Sequence, residues 1–135
     1  MNWKLIIQLS AFGLIMAFAT VSLIPEKAEP AFWILIFVFC AYVIAKVCTG
    51  KYFLNGFMVS IINSVWITAA HIAFYQSYIA HHPDVQQMAE KYPLIPSHPR
   101  IEMLITGPFI GAVSGLVLGL FSLIASKMVA KKVAV

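Results

Sequence analysis

The sequence predicts an all-α polytopic membrane protein with four transmembrane helices in an antiparallel bundle. The 135-residue chain is 61% hydrophobic and 10% charged, with a mean hydropathy of +0.90. Soluble domains carry about 25% charged residues. Four apolar stretches each have the roughly 20 residues that a helix needs to cross about 30 Å of hydrocarbon. These spans consume most of the chain, so we expect a single domain over residues 1–135.

The spans are predicted at about residues 3–24, 31–48, 53–80 and 103–127. The first stops at Pro25, and its apolar run is longer than the roughly 7 to 15 residues of a signal-peptide core. The second ends near Gly50, a residue that tolerates the positive φ of a helix stop. The fourth begins either near Pro99, with Pro108 kinking its interior, or at Pro108 itself. Sequence leaves both starts open.

The loop over residues 81–98 is predicted to contain a short interfacial helix. Its apolar residues recur at i, i+3, i+4 and i+7, namely Val85, Met88, Ala89 and Tyr92. Pro83 and Asp84 suit the first turn of such a helix, and Pro93 and Pro96 would close it. We expect the helix to lie on the outer membrane surface.

The distribution of charge predicts the orientation of the chain. Lysines gather at one set of helix ends: Lys4, Lys46, Lys51, Lys127, Lys131 and Lys132. All the carboxylates fall near the other set. The positive-inside rule then places both termini in the cytoplasm and the 81–102 loop on the outer side of a bacterial-type inner (plasma) membrane. The net charge of +4 follows from this topology, so nucleic acid is not an expected partner.

The third span carries its polar side chains on one stripe. Successive helical residues are about 100° apart, which aligns a set of polar positions: Ser60, Ser64, His71, Tyr78 and His82, with Thr68 and Tyr75 beside them and Asn63 at the edge. Each unpaired polar group in lipid would cost on the order of a few kcal/mol, so these groups must meet partners.

Two interpretations of this stripe stay open. Its side chains could bond to other helices at roughly 0.6 kcal/mol each, as in many membrane bundles. Alternatively, the stripe lines a pocket or transport path for a proton, a cation or a small solute, with His71 as the titrating or coordinating element.

The four histidines raise the alternative of a metal- or haem-binding protein with an outer-face site. The candidate ligands are His71, His81, His82 and His98. Zinc needs three or four ligands at about 2.1 Å, and no compact ligand motif occurs among these spacings. A haem held by His71 and a partner histidine is a further alternative. No cofactor is predicted firmly.

Glycine recurs at every fourth position of the fourth span: Gly107, Gly111, Gly115 and Gly119. Small residues at this spacing let a second helix backbone approach closely, as in a glycine zipper. The spacing predicts a helix-packing face whose partner is either the first span or a neighbouring subunit, and we favour a homo-oligomer. A non-catalytic scaffold or accessory subunit that associates through this face is the second functional hypothesis.

The sequence carries no catalytic signature. Gly-x-Ser-x-Gly is absent, no Gly-rich phosphate loop precedes a helix, and no paired carboxylates lie within a span. An acid–base enzyme would have to recruit Asp84, Glu90 or Glu102 from the outer loop. Enzymatic activity is therefore not indicated, and the expected partners are the lipid bilayer, further copies of the chain and a small ion or solute.

Overall fold

The computed structural model describes residues 1–93 and 97–129. These residues form helices and no strand, as the sequence predicts: α1 (Trp3–Ser22), α2 (Glu29–Val47), α3 (Tyr52–Ala73), α4 (Tyr75–His81), α5 (Pro83–Lys91) and α6 (Pro99–Met128). Four of them, α1, α2, α3 and α6, are long and apolar enough to cross a membrane. The four apolar helices support the assignment to a membrane.

Helix α3 is the centre of the fold, because α6 and α1 both pack extensively against it, whereas α2 packs mainly against α6. The backbone N–H of Asn2 donates to Asn55 Oδ1 over 3.0 Å, which joins the start of α1 to the start of α3. Thr20 Oγ1 lies 2.9 Å from His71 Nε2, which joins the ends of the same two helices. Helices α1 and α3 therefore run side by side in the same direction.

One half of the molecule contains a closed apolar core. The core lies around the starts of α1 and α3, the end of α2 and the later turns of α6, and consists of Leu5, Ile6, Leu9, Cys40, Ala41, Ile44, Cys48, Val59 and Leu118. All four buried residues of α2 lie in its second half. The first half of α2 is therefore packed less closely, and this difference leaves room beside α3 and α6.

The third apolar stretch is not one continuous helix to residue 80. Helix α3 ends at Ala73, Phe74 adopts φ −110° and ψ 37°, and α4 begins at Tyr75. The break rotates Tyr75 away from the stripe, and its ring instead lies 5.2 Å from the guanidinium of Arg100. A cation–π contact with an exposed arginine contributes about 0.5–1 kcal/mol.

The last apolar stretch is a single helix. Helix α6 begins at Pro99 and continues through Pro108 to Met128, so the earlier of the two predicted starts is the one observed. Helix α5 occupies the predicted position within the 81–98 loop; Met88 on this helix and Tyr92 directly after it are exposed. The predicted closing residue Pro96, together with Lys131 and Lys132, lies outside the described residues.

The turn between α2 and α3 differs from the sequence expectation. No described glycine has a positive φ, whereas Lys51 has φ 52°. Lys51 is thus the left-handed residue that we had expected at Gly50. The buried Asn55 holds the turn, because its Nδ2 donates to the carbonyl of Lys51 over 2.9 Å.

Candidate functional site

A cavity of about 620 Å³ lies between α2, α3 and α6, on the side of the molecule away from the apolar core. One wall is polar and is formed by the stripe residues Ser60, Asn63, Ser64, Thr68, His71 and Tyr78. The remaining wall is largely apolar, with Trp33 and Phe37 from α2 and Ile110, Val113 and Val117 from α6. Its volume lies within the roughly 300–1,000 Å³ that small-molecule sites usually have.

The other predicted site residues lie elsewhere. Tyr75 borders a smaller surface groove and not this cavity. His82 is buried behind Tyr78, where it bonds to Glu29, which lines the cavity. His81 is exposed and bonds to the carbonyl of Ser77 in its own helix, and His98 is exposed at the start of α6.

His71 is oriented by a hydrogen bond to α1. The Thr20 hydroxyl lies 2.7 Å from the carbonyl of Met16, which can only accept, so this hydroxyl donates its proton there. It must then accept from His71 Nε2–H over 2.9 Å. In its neutral form the imidazole keeps a lone pair on Nδ1. That atom has no protein hydrogen-bond partner in the described part of the chain, and His71 lines the cavity.

Three aromatic rings stack behind the polar wall. The centroids of His71 and Tyr78 lie 3.9 Å apart, and those of Tyr78 and His82 lie 4.2 Å apart. Burial, together with the nearby carboxylates of Glu29 and Glu26, raises the pKa of Tyr78 to about 12. The phenol therefore keeps its proton at neutral pH.

His82 is buried and uses both of its ring nitrogens for hydrogen bonds. His82 Nδ1 lies 2.8 Å from the carbonyl of Tyr78, and His82 Nε2 lies 2.8 Å from Glu29 Oε1. The pair formed by His82 and Glu29 joins the start of α2 to the junction of α4 and α5.

The amide of Asn63 is the unsatisfied polar group at this site. Its Nδ2 and Oδ1 are both buried and have no partner in the described part of the chain. Asn63 borders the cavity and packs against Gly13 of α1, where any side chain would collide with it. A buried amide without a partner costs roughly 1–3 kcal/mol of stability.

The glycines of α6 lie against α3 of the same chain. Gly107 contacts Thr68, Gly111 contacts Ser64, Gly115 contacts Phe57 and Gly119 contacts Phe53. Rising numbers on α6 meet falling numbers on α3, so the two helices run in opposite directions. The glycine spacing predicts a partner in the first span or a neighbouring subunit, whereas in the structure α3 packs against this face. The missed signal is Gly56 of α3, which faces the carbonyl of Leu118.

Sequence reasoning also missed Thr20 and Glu29 as parts of the site. Thr20 is a single hydroxyl in an apolar span, and Glu29 could be read as one more charge in the turn after α1. Thr20 contacts His71 and Glu29 contacts His82, and in each pair the two residues are more than 50 positions apart in the chain. No local pattern could have found them.

The histidines do not assemble a metal site in the described residues. No group of three or more histidine, cysteine or acidic side chains converges there. His71 and His82 are separated by the ring of Tyr78, and each bonds to a different helix.

No family model, no curated protein and no solved structure matches this chain.

Proposed function

We propose that this chain is a small integral membrane protein that binds a small solute in the cavity beside His71. Its four apolar helices would form an antiparallel bundle with both termini in the cytoplasm. The charges support this orientation, because Lys4, Lys46, Lys51 and Lys127 lie at the end that contains the apolar core. The cavity would then lie in the outer half of an inner membrane.

The apolar core favours a pocket over a continuous path. Ile6, Ile44 and Leu118 are completely buried in the apolar core, and none of the three lines the cavity. A proton or cation that crossed this half of a single chain would lose its hydration without finding polar groups, at a cost of several kcal/mol. Binding of a solute from one side therefore agrees better with the packing than conduction does.

The free Nδ1 of His71 carries this proposal. The Thr20 hydroxyl fixes the imidazole through Nε2, and the opposite nitrogen is left with no protein partner in the described residues. A bound molecule that donates a hydrogen bond can satisfy this nitrogen.

The test compares His71→Phe with His81→Phe in lipid nanodiscs. Both substitutions remove one imidazole, but His81 is exposed and does not line the cavity. We expect a thermal-shift screen of small neutral and cationic molecules to find ligands that stabilise the wild type and His81→Phe equally. The same ligands should have no effect on a folded His71→Phe variant. If a folded His71→Phe variant is stabilised by the same ligands as the wild type, the proposal is contradicted. If His71→Phe does not fold and the screen finds no ligand that stabilises the wild type, the proposal is contradicted as well.

The accessory-subunit alternative has less support from the packing. Gly111, Gly115 and Gly119 are buried against α3, so a second subunit could not use this face unless α3 left it. A homo-oligomer would have to associate through another surface.

A further inference from the structure

The cavity is bordered at both ends by packed helices. At its inner end the lining residues Ser60 and Val117 are next in the chain to Val59 and Leu118, which are completely buried in the apolar core. At the other end α4 and α5 fold over the opening, and Val85 of α5 lines the cavity there. The hydrogen bond between His82 and Glu29 holds this cover to the start of α2. A ligand therefore has no open route along the helix axes.

The side of the cavity is open. Ile110, Val113 and Val117 line the cavity and are also 61%, 50% and 41% exposed. Residues that both line a cavity and face outward mark the place where the cavity reaches the surface. That surface is apolar on α6 and also on α2, where Ile34 and Leu35 are exposed. In a bilayer this flank would face acyl chains, which lipid-soluble molecules cross and water-soluble ones do not.

The chemistry inside the cavity favours a neutral ligand. Of the described residues that line it, Glu29 alone bears a carboxylate, and that group is already bonded to His82. A charged ligand would lose its hydration without gaining an opposite charge, which is strongly unfavourable. His71 Nδ1 is an acceptor with no protein partner in the described part of the chain, so it selects a ligand that donates a hydrogen bond. The rings of Trp33 and Phe37 on the opposite wall suit an aromatic body.

We infer that the cavity binds a neutral, lipid-soluble aromatic alcohol, such as an alkylphenol or a hydroquinone, which enters sideways from the bilayer between α2 and α6. The hydroxyl of the ligand donates to His71 Nδ1, and its apolar body lies against α2 and α6. This inference rests on the proposed function, because it names the class of solute that the same cavity holds.

The test uses a brominated nonylphenol and its methyl ether in nanodiscs. Bromine quenches a tryptophan that it contacts, and Trp33 lines the cavity, so Trp3 and Trp66 are replaced by Phe to leave Trp33 as the reporter. We expect saturable quenching by the phenol and about ten-fold weaker binding of the ether, which cannot donate. Ten-fold corresponds to about 1.4 kcal/mol, the size of one hydrogen bond. This comparison needs no substitution at the site.

His71→Phe should weaken binding of the phenol about ten-fold and leave binding of the ether unchanged, whereas His81→Phe should change neither. If the ether saturates Trp33 quenching as tightly as the phenol does, the assignment to a hydrogen-bond donor is wrong, but a solute pocket remains. If neither compound saturates and the thermal-shift screen also finds no ligand, the proposed function fails as well. The two failures are thus distinguishable.

Lateral access has its own variant. Val113→Phe places a large side chain at the exposed opening, whereas Leu116→Phe adds the same ring to an exposed position of α6 that does not line the cavity, and neither adds a second tryptophan. We expect about ten-fold slower association of the brominated phenol for Val113→Phe and an unchanged rate for Leu116→Phe. Equal association rates for the two variants would overturn access through this side.

Discussion

The contact between α3 and α6 is tested most sharply by Gly56→Ala. A Cβ on residue 56 would lie 2.8 Å from the carbonyl oxygen of Leu118 and 3.0 Å from its carbon. Ordinary contacts of a Cβ begin near 3.4 Å, so the helices would have to separate by about half an ångström. The Ser122 hydroxyl oxygen is nearer still, at 2.5 Å, and can rotate aside, but the backbone of Leu118 cannot. Such overpacking typically costs about 1–3 kcal/mol.

The matched control is Gly50→Ala, because a Cβ at residue 50 would meet nothing within 4 Å. Both substitutions reduce the freedom of the unfolded chain by a similar amount, about 0.4–1 kcal/mol in favour of folding, so their difference isolates the helix contact. We expect Gly56→Ala to be less stable than Gly50→Ala by about 1–3 kcal/mol. The measurement is SDS-induced unfolding from dodecyl maltoside micelles, followed by far-UV circular dichroism. Free energies that agree within about 0.5 kcal/mol would refute the close approach of α3 and α6.

Three further substitutions test the parts around the site by the same unfolding measurement. Glu29→Gln removes the acidic partner of His82 but keeps its size. We expect the free energy of unfolding to fall by about 1 kcal/mol, less than for a fully buried pair because Glu29 is 24% exposed. An unchanged free energy of unfolding would mean that the pair does not hold α2. Lys51→Gly removes the side chain from a residue in the left-handed region, with φ 52°. We expect the free energy of unfolding to rise by up to about 1 kcal/mol, and a decrease would contradict this backbone conformation. Tyr78 has its pKa raised to about 12 from an ordinary 10.0, so the fold favours the neutral phenol. Stability from this group is fully present below pH 10 and is lost as the pH rises toward 12, so Tyr78→Phe should lose less stability over that interval than the wild type, whereas equal losses would contradict burial of this ring.

The four long helices were predictable because hydrophobic length is a local property of the chain. The start of α6 was not, since Pro99 and Pro108 both suit the first turn of a helix, and only packing against α3 shows that the earlier one is used. The break at Phe74 was not predictable either. No proline or glycine lies at the break, and Arg100, which contacts the ring of Tyr75, lies 25 residues further along the chain.

The polar wall could be predicted in part. Helical periodicity placed Ser60, Ser64, Thr68 and His71 on one side of α3, and that side borders the cavity. Periodicity could not give the partners of that side, because these depend on how other helices pack. The glycine spacing of α6 likewise indicated a close contact without identifying α3 as the other helix.

An experimental density map of the protein in a lipid nanodisc, viewed around His71, tests the central claim most directly. We expect density for a lipid-soluble molecule or ordered water within hydrogen-bond distance of Nδ1, with α2 and α6 separated at Trp33 and Val113. A map in which Phe37 and Val113 close onto the imidazole in dry contact, with Nδ1 bonded to the protein, would contradict a solute pocket at this position.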